Sequence, residues 1–127
     1  MANEGNFFLE FKGPNVPKDS TALSNRLGTH PDDAELALGE NTSLYQGYCK
    51  WRPPEYEVID ILSDPKFDIT SCTIYWEEMC FLGAGVLEYR EGKEVSRDYL
   101  DSLAPKQEIR DFTLKHPLMG ALLLDAN

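Results

Sequence analysis

The sequence predicts an α+β fold in one domain, residues 1–127: an antiparallel meander sheet of about five or six strands packed with short helices. The helices come from the N-terminal third and the C-terminus. Three observations predict it. Asp68–Tyr89 has two arms rich in β-branched and aromatic residues, split by Glu77-Glu78, which suits a pleated, half-buried surface. Short alternating apolar runs recur elsewhere, bounded by Gly and Pro. The helical patterns are short and need a sheet to hold them.

Asn6–Lys12 alternates, with Phe7, Leu9 and Phe11 on one side and Phe8, Glu10 and Lys12 on the other, so it reads as a strand. Gly13-Pro14 ends it. Asp19 or Ser20 opens a helix carrying Leu23 and Leu27, with Gly28 as its stop. A second helix is expected from a cap at Thr29 or His30 to Gly39, with Pro31 in its first turn and Asp32, Asp33 and Glu35 at its positive end. Ser43–Trp51 is a strand candidate, with Tyr45, Gly47, Cys49 and Trp51 on one face. Arg52-Pro53-Pro54 breaks it, and Glu57–Leu62 reads as another strand. A Ser63–Lys66 turn leads into the hairpin, whose reversal is expected at or near Glu77-Glu78.

On the second hairpin arm Gly83 and Gly85 share one face. That predicts close approach by another backbone, a helix above all, or else a bound ligand or partner peptide. Arg90–Glu94 looks like a tight reversal, followed by a short strand at Glu94–Ser96. A brief helix with Leu100 and Leu103 follows, ended by Pro105. A longer helix runs from about Pro105 to Lys115, with Ile109, Phe112, Thr113 and His116 along one side. The apolar run Leu118–Leu124 docks on the core or mediates homo-oligomer contacts.

The totals exclude several functions. With 22 acids against 12 bases the net charge is −10, which disfavours nucleic acid and anionic membranes and steers the chain toward a basic partner. Cys49, Cys72 and Cys80 are odd in number and lack metal-ligand spacing, so a cytoplasmic, reducing setting is expected. No apolar run is long enough to span a bilayer, and the N-terminus shows no secretion signal.

Chemical candidates are sparse. The carboxylate pairs Asp32/Asp33, Glu55/Glu57, Glu77/Glu78 and Glu91/Glu94 read as solvated surface, since acid–base work needs two carboxyls in unlike environments. His116 reads as a packing or capping residue. No P-loop, EF-hand or dinucleotide fingerprint calls for a cofactor.

Thr29-His30-Pro31-Asp32-Asp33-Ala34-Glu35-Leu36 resembles the His-Pro-Asp-Asp signature of the zinc-dependent sugar deacetylases of the PIG-L/LmbE family. The resemblance implies an alternative: a zinc hydrolase with His30 and Asp33 as ligands and Asp32 as general base on a metal-bound water.

The principal expectation is a small acidic, non-enzymatic inhibitor with no cofactor or metal. It would occlude a basic protein partner, a nuclease toxin or a defence effector, in the manner of immunity proteins or phage blockers of host defence. Acids and aromatic rings cluster around the central hairpin, and such sets capture basic partners. The residues expected to touch the partner are Tyr75, Glu77, Glu78, Glu88 and Glu91. A structural subunit of an oligomer is the remaining alternative.

Overall fold

The computed structural model describes residues 4–50, 53–78, 83–101 and 103–120, with the side chains of Glu4, Cys49, Lys50 and Glu78 outside the described set. The elements in chain order are β1 (Glu4–Lys12), α1 (Ser20–Leu27), a 3-10 turn (Pro31–Asp33), β2 (Glu35–Gly39), β3 (Thr42–Lys50), α2 (Glu55–Leu62), β4 (Ser71–Glu78), β5 (Gly83–Arg90), β6 (Lys93–Asp101) and α3 (Lys106–Lys115). The strands form one six-stranded sheet in the order β2-β3-β1-β4-β5-β6, and every pairing is antiparallel. The fold is α+β, as the alternation predicts. It departs from a simple meander because β1 inserts between β3 and β4.

Alternation along β1 sorts the core into two layers. Phe7, Leu9 and Phe11 face α1 and α2 and pack with Leu23, Leu27, Val58, Ile61, Tyr45, Ile74 and Leu87. Phe8 faces the opposite side and packs with Ala84, Val86, Leu100, Phe112 and Met119 under α3. β5 is therefore covered on both faces, which explains its unbroken burial from Gly83 to Leu87. In the first layer Tyr45, fully buried, exchanges hydrogen bonds with Ser24 Oγ (2.8 Å) and Thr29 Oγ1 (2.5 Å). Those bonds satisfy a phenol that burial alone would penalise.

Four local expectations are corrected. The helix expected over Thr29–Gly39 is a single 3-10 turn followed by β2. Leu36 and Leu38 lie two apart, which is strand spacing, and Leu36 pairs with Tyr45 across the ladder. The strand expected at Glu57–Leu62 is α2. Val58, Ile61 and Leu62 fall at i, i+3 and i+4, and burying Val58 and Ile61 against the sheet outweighs the β-preference of its branched side chains. The helix expected around Leu100 is absent, because β6 runs unbroken from Lys93 to Asp101. The reversal expected at Glu77-Glu78 lies further on, since β4 continues through Glu78 and residues 79–82 fall outside the described set.

Gly83 and Gly85 face aromatic rings, not a helix or a ligand. A methyl at Gly85 would meet the Trp76 indole at 2.6 Å, and one at Gly83 would collide with the Tyr99 hydroxyl. Trp76 and Tyr99 also meet each other, their rings tilted by 43° with centroids 6.1 Å apart. The glycines make room for these two rings.

Candidate functional site

Three places could carry function: the hairpin face, the His-Pro-Asp-Asp turn, and the β2 edge. On the hairpin face the register brings Glu10, Thr73 and Glu88 into one row across β1, β4 and β5. Phe8, Tyr75 and Val86 form the next row, and Asn6, Glu77 and Ala84 the one after. Tyr75 is half-buried, and burial pushes its hydroxyl titration up to about 12, with the Glu10 and Glu88 carboxylates reinforcing the shift. Glu10 and Glu88 are answered from their own strands: Lys12 Nζ lies 3.8 Å from Glu10, and Arg90 Nε donates to Glu88 at 2.7 Å.

The expected contact set is therefore split. Tyr75, Glu77 and Glu88 do share a face. Glu77 is only 1% exposed, however, and accepts from Asn6 Nδ2 at 2.7 Å. It belongs to the interior, where a carboxylate needs donors around it, and not to a solvated turn. Glu91 is exposed at the β5–β6 reversal, at the end of the sheet away from Glu77. The Glu78 side chain lies outside the described residues. These acids do not make one open negative surface.

The His-Pro-Asp-Asp turn is explained by local geometry. His30 caps the 3-10 turn: its Nδ1 accepts from the Asp32 backbone N–H at 3.2 Å. Pro31 sits in the first turn, where its missing N–H costs nothing. The turn follows helix α1 and leads into the antiparallel border strand β2, whereas the deacetylase resemblance requires a buried parallel strand before it. The other histidine, His116, is held by Asp98 at 2.9 Å and packs edge-on against Phe112, in the layer under α3. Among the described residues no group of three His, Cys, Asp or Glu is placed to hold a metal ion.

The third place is one that sequence reasoning missed. No Lys or Arg occurs between Arg26 and Lys50, while Asp32, Asp33, Glu35 and Glu40 all do. All four are exposed. Among the described residues none of them pairs with a Lys or Arg. The contrast with α2 is informative, because Asp60 and Asp64 near its end meet Arg26, and Glu55 meets Arg97 at 2.7 Å. The uncompensated acids therefore flank one strand, β2. It forms one border of the sheet and exposes Leu38 to 58%. The clue was available in the sequence as a long base-free window. The helix expected over Thr29–Gly39 masks it, because a helix N-terminus accounts for Asp32, Asp33 and Glu35 without further need.

The chain path β1-α1-β2-β3-α2-β4, with β1 between β3 and β4 and both helices on one face, defines a ferredoxin-like sheet. β5, β6 and α3 extend it. The chain belongs to the family described as the ferredoxin-like domain in Api92-like protein, which matches residues 29–115. No curated protein and no solved structure matches it. The fold term describes a chain path. A conventional four-thiolate iron–sulfur cluster needs more thiols than the three in this sequence.

Proposed function

We propose that this domain is a non-enzymatic binding module that captures a positively charged protein and occludes it. The capturing surface is the β2 border with the turn before it. The observation that carries the reading is the sorting of charge. The four acids around β2 stand in a stretch with no Lys or Arg from residue 27 to 49, and none meets a Lys or Arg among the described residues, whereas Glu10, Glu55, Asp60, Asp64 and Glu88 meet Lys12, Arg26, Arg90 and Arg97. Uncompensated charge on one border costs little in folding and raises the rate of meeting a partner of opposite sign. An inhibitor of a basic effector, a nuclease for example, fits this surface. A cytoplasmic setting suits the free, fully buried thiol of Cys72. Among the described residues no helix is long and apolar enough to cross a membrane.

The test compares two charge-swapped forms of equal net charge. One carries Asp32→Lys and Asp33→Lys; the other carries Glu108→Lys and Asp111→Lys on the exposed side of α3. A basic partner recovered with the parent chain should be lost in the first and kept in the second, with capture weakening as salt rises. Equal loss in both would mean that only bulk charge matters. Stoichiometric zinc that disappears on His30→Ala would replace this reading with the hydrolase one.

A further inference from the structure

Resting on that reading, we propose a binding mode: an extended basic segment of the partner adds to the sheet as a seventh strand along the outer border of β2. β2 pairs with β3 alone among the described residues. A border strand presents a row of backbone donors and acceptors on its open side, which is a template for another strand. The two borders of this sheet are not alike. β6 is blunted by a bulge opposite Glu88/Tyr89 and by Lys93, Arg97 and Asp98. Glu35–Gly39 has no bulge, no proline and no base. Its shortness, five residues, limits the added strand to about 17 Å of contact.

The side chains say what the added strand carries. Leu36 and Leu38 lie on the α1/α2 side of β2, while Glu35 and Ala37 lie on the other. Leu38 is the exposed member of the apolar side, so a neighbouring strand would set an apolar residue beside it. A base would sit beside Glu35, as directly opposed charges favour. Asp32 and Asp33 precede the border and Glu40 follows it, so acids stand at both ends. That chemistry selects a short segment alternating Lys or Arg with β-branched or other apolar residues. A second copy of this chain is disfavoured as occupant, because it brings a net charge of −10 and the same acids to the contact.

The experiment uses the full chain and three capped synthetic peptides. One alternates lysine and valine, one alternates glutamate and valine, and one repeats the first with an N-methyl group on every backbone nitrogen, so that neither of its edges can complete a ladder. Binding is read by titration, and its place by amide hydrogen exchange. The Lys–Val peptide should bind at low salt and slow exchange at β2 amides. The N-methylated peptide, and the Glu35→Lys/Glu40→Lys chain with the unmethylated one, should each bind roughly tenfold or more weakly. The Glu–Val peptide should not bind. Equal binding of the N-methylated peptide would overturn strand addition and leave capture by charge standing. No binding of either basic peptide, or protection confined to another surface, would sink both readings. A dimer protected at β2 without peptide would also overturn the inference.

Discussion

At the scale of single residues, backbone conformation at Glu91 sets a testable cost. The Glu91-Gly92 pair closes the β5–β6 hairpin with φ of 51° and 78°, which is the type I′ pattern that favours Asn-Gly. A glutamate there sits in a region that side chains with a Cβ avoid. Glu91→Asn should therefore raise stability by about 0.5–1 kcal/mol, read as a higher denaturation midpoint at unchanged m. Gly85 works in the opposite direction. An added methyl meets the Trp76 indole at 2.6–2.8 Å, and the ring also leans on Tyr99, so it has little room to yield. Gly85→Ala should cost about 1–3 kcal/mol and shift the tryptophan fluorescence. The glycine pair was legible as a marker of close approach; which group approaches was not, because Trp76 and Tyr99 become neighbours only once the register is set.

Among the elements, α3 is tied down mainly at its C-terminal end. Its Phe112 joins the second core layer, and Asp98 on β6 receives Lys115 Nζ at 2.8 Å and His116 Nε2 at 2.9 Å. Those two partners hold the Asp98 carboxyl below its ordinary value. A carboxylate depressed by folding adds stability that is complete above its unfolded value near pH 3.9 and fades as pH falls through the lower folded value. Asp98→Asn should therefore flatten the acid limb of the stability–pH profile. Because Asp98 is 37% exposed, the loss near neutral pH should stay below about 1 kcal/mol. Element type was readable from sequence wherever one period dominated: β1, β3, the two central hairpin strands, α1 and α3. It failed at β2, at α2 and over the second half of β6, where a few residues satisfy two periods and packing decides. Leu36 finds Tyr45 beside it in the ladder, and Val58 and Ile61 find the sheet; neither meeting is encoded locally. The candidate site moved for the same reason, since a base-free window says nothing about a border until the strand order is known.

On the scale of the whole molecule, the family match and the sheet do not share boundaries. The matched span, residues 29–115, omits β1 and α1. Yet β1 supplies Phe7, Leu9 and Phe11 to one layer and Phe8 to the other, and pairs with strands on both sides. A fragment of residues 29–115 should fail to fold, giving collapsed amide dispersion by NMR, and a synthetic peptide of residues 1–28 should restore the dispersed spectrum. A fragment that folds alone would show that β3 and β4 can close on each other without their common neighbour.

Placing β1 between later strands also has a consequence for biosynthesis. It leaves the ribosome before either flank exists, and its second flank, Ser71–Glu78, arrives only after the hairpin of β2 and β3 and the whole of α2. Until then its row of amides toward β4 waits without a partner, and Phe8 without the layer that β5, β6 and α3 supply. Such long-range closure slows assembly and invites wrong partners. Prompt protection of the nascent chain, more than the final strength of the fold, should therefore govern how much of this protein a cell recovers.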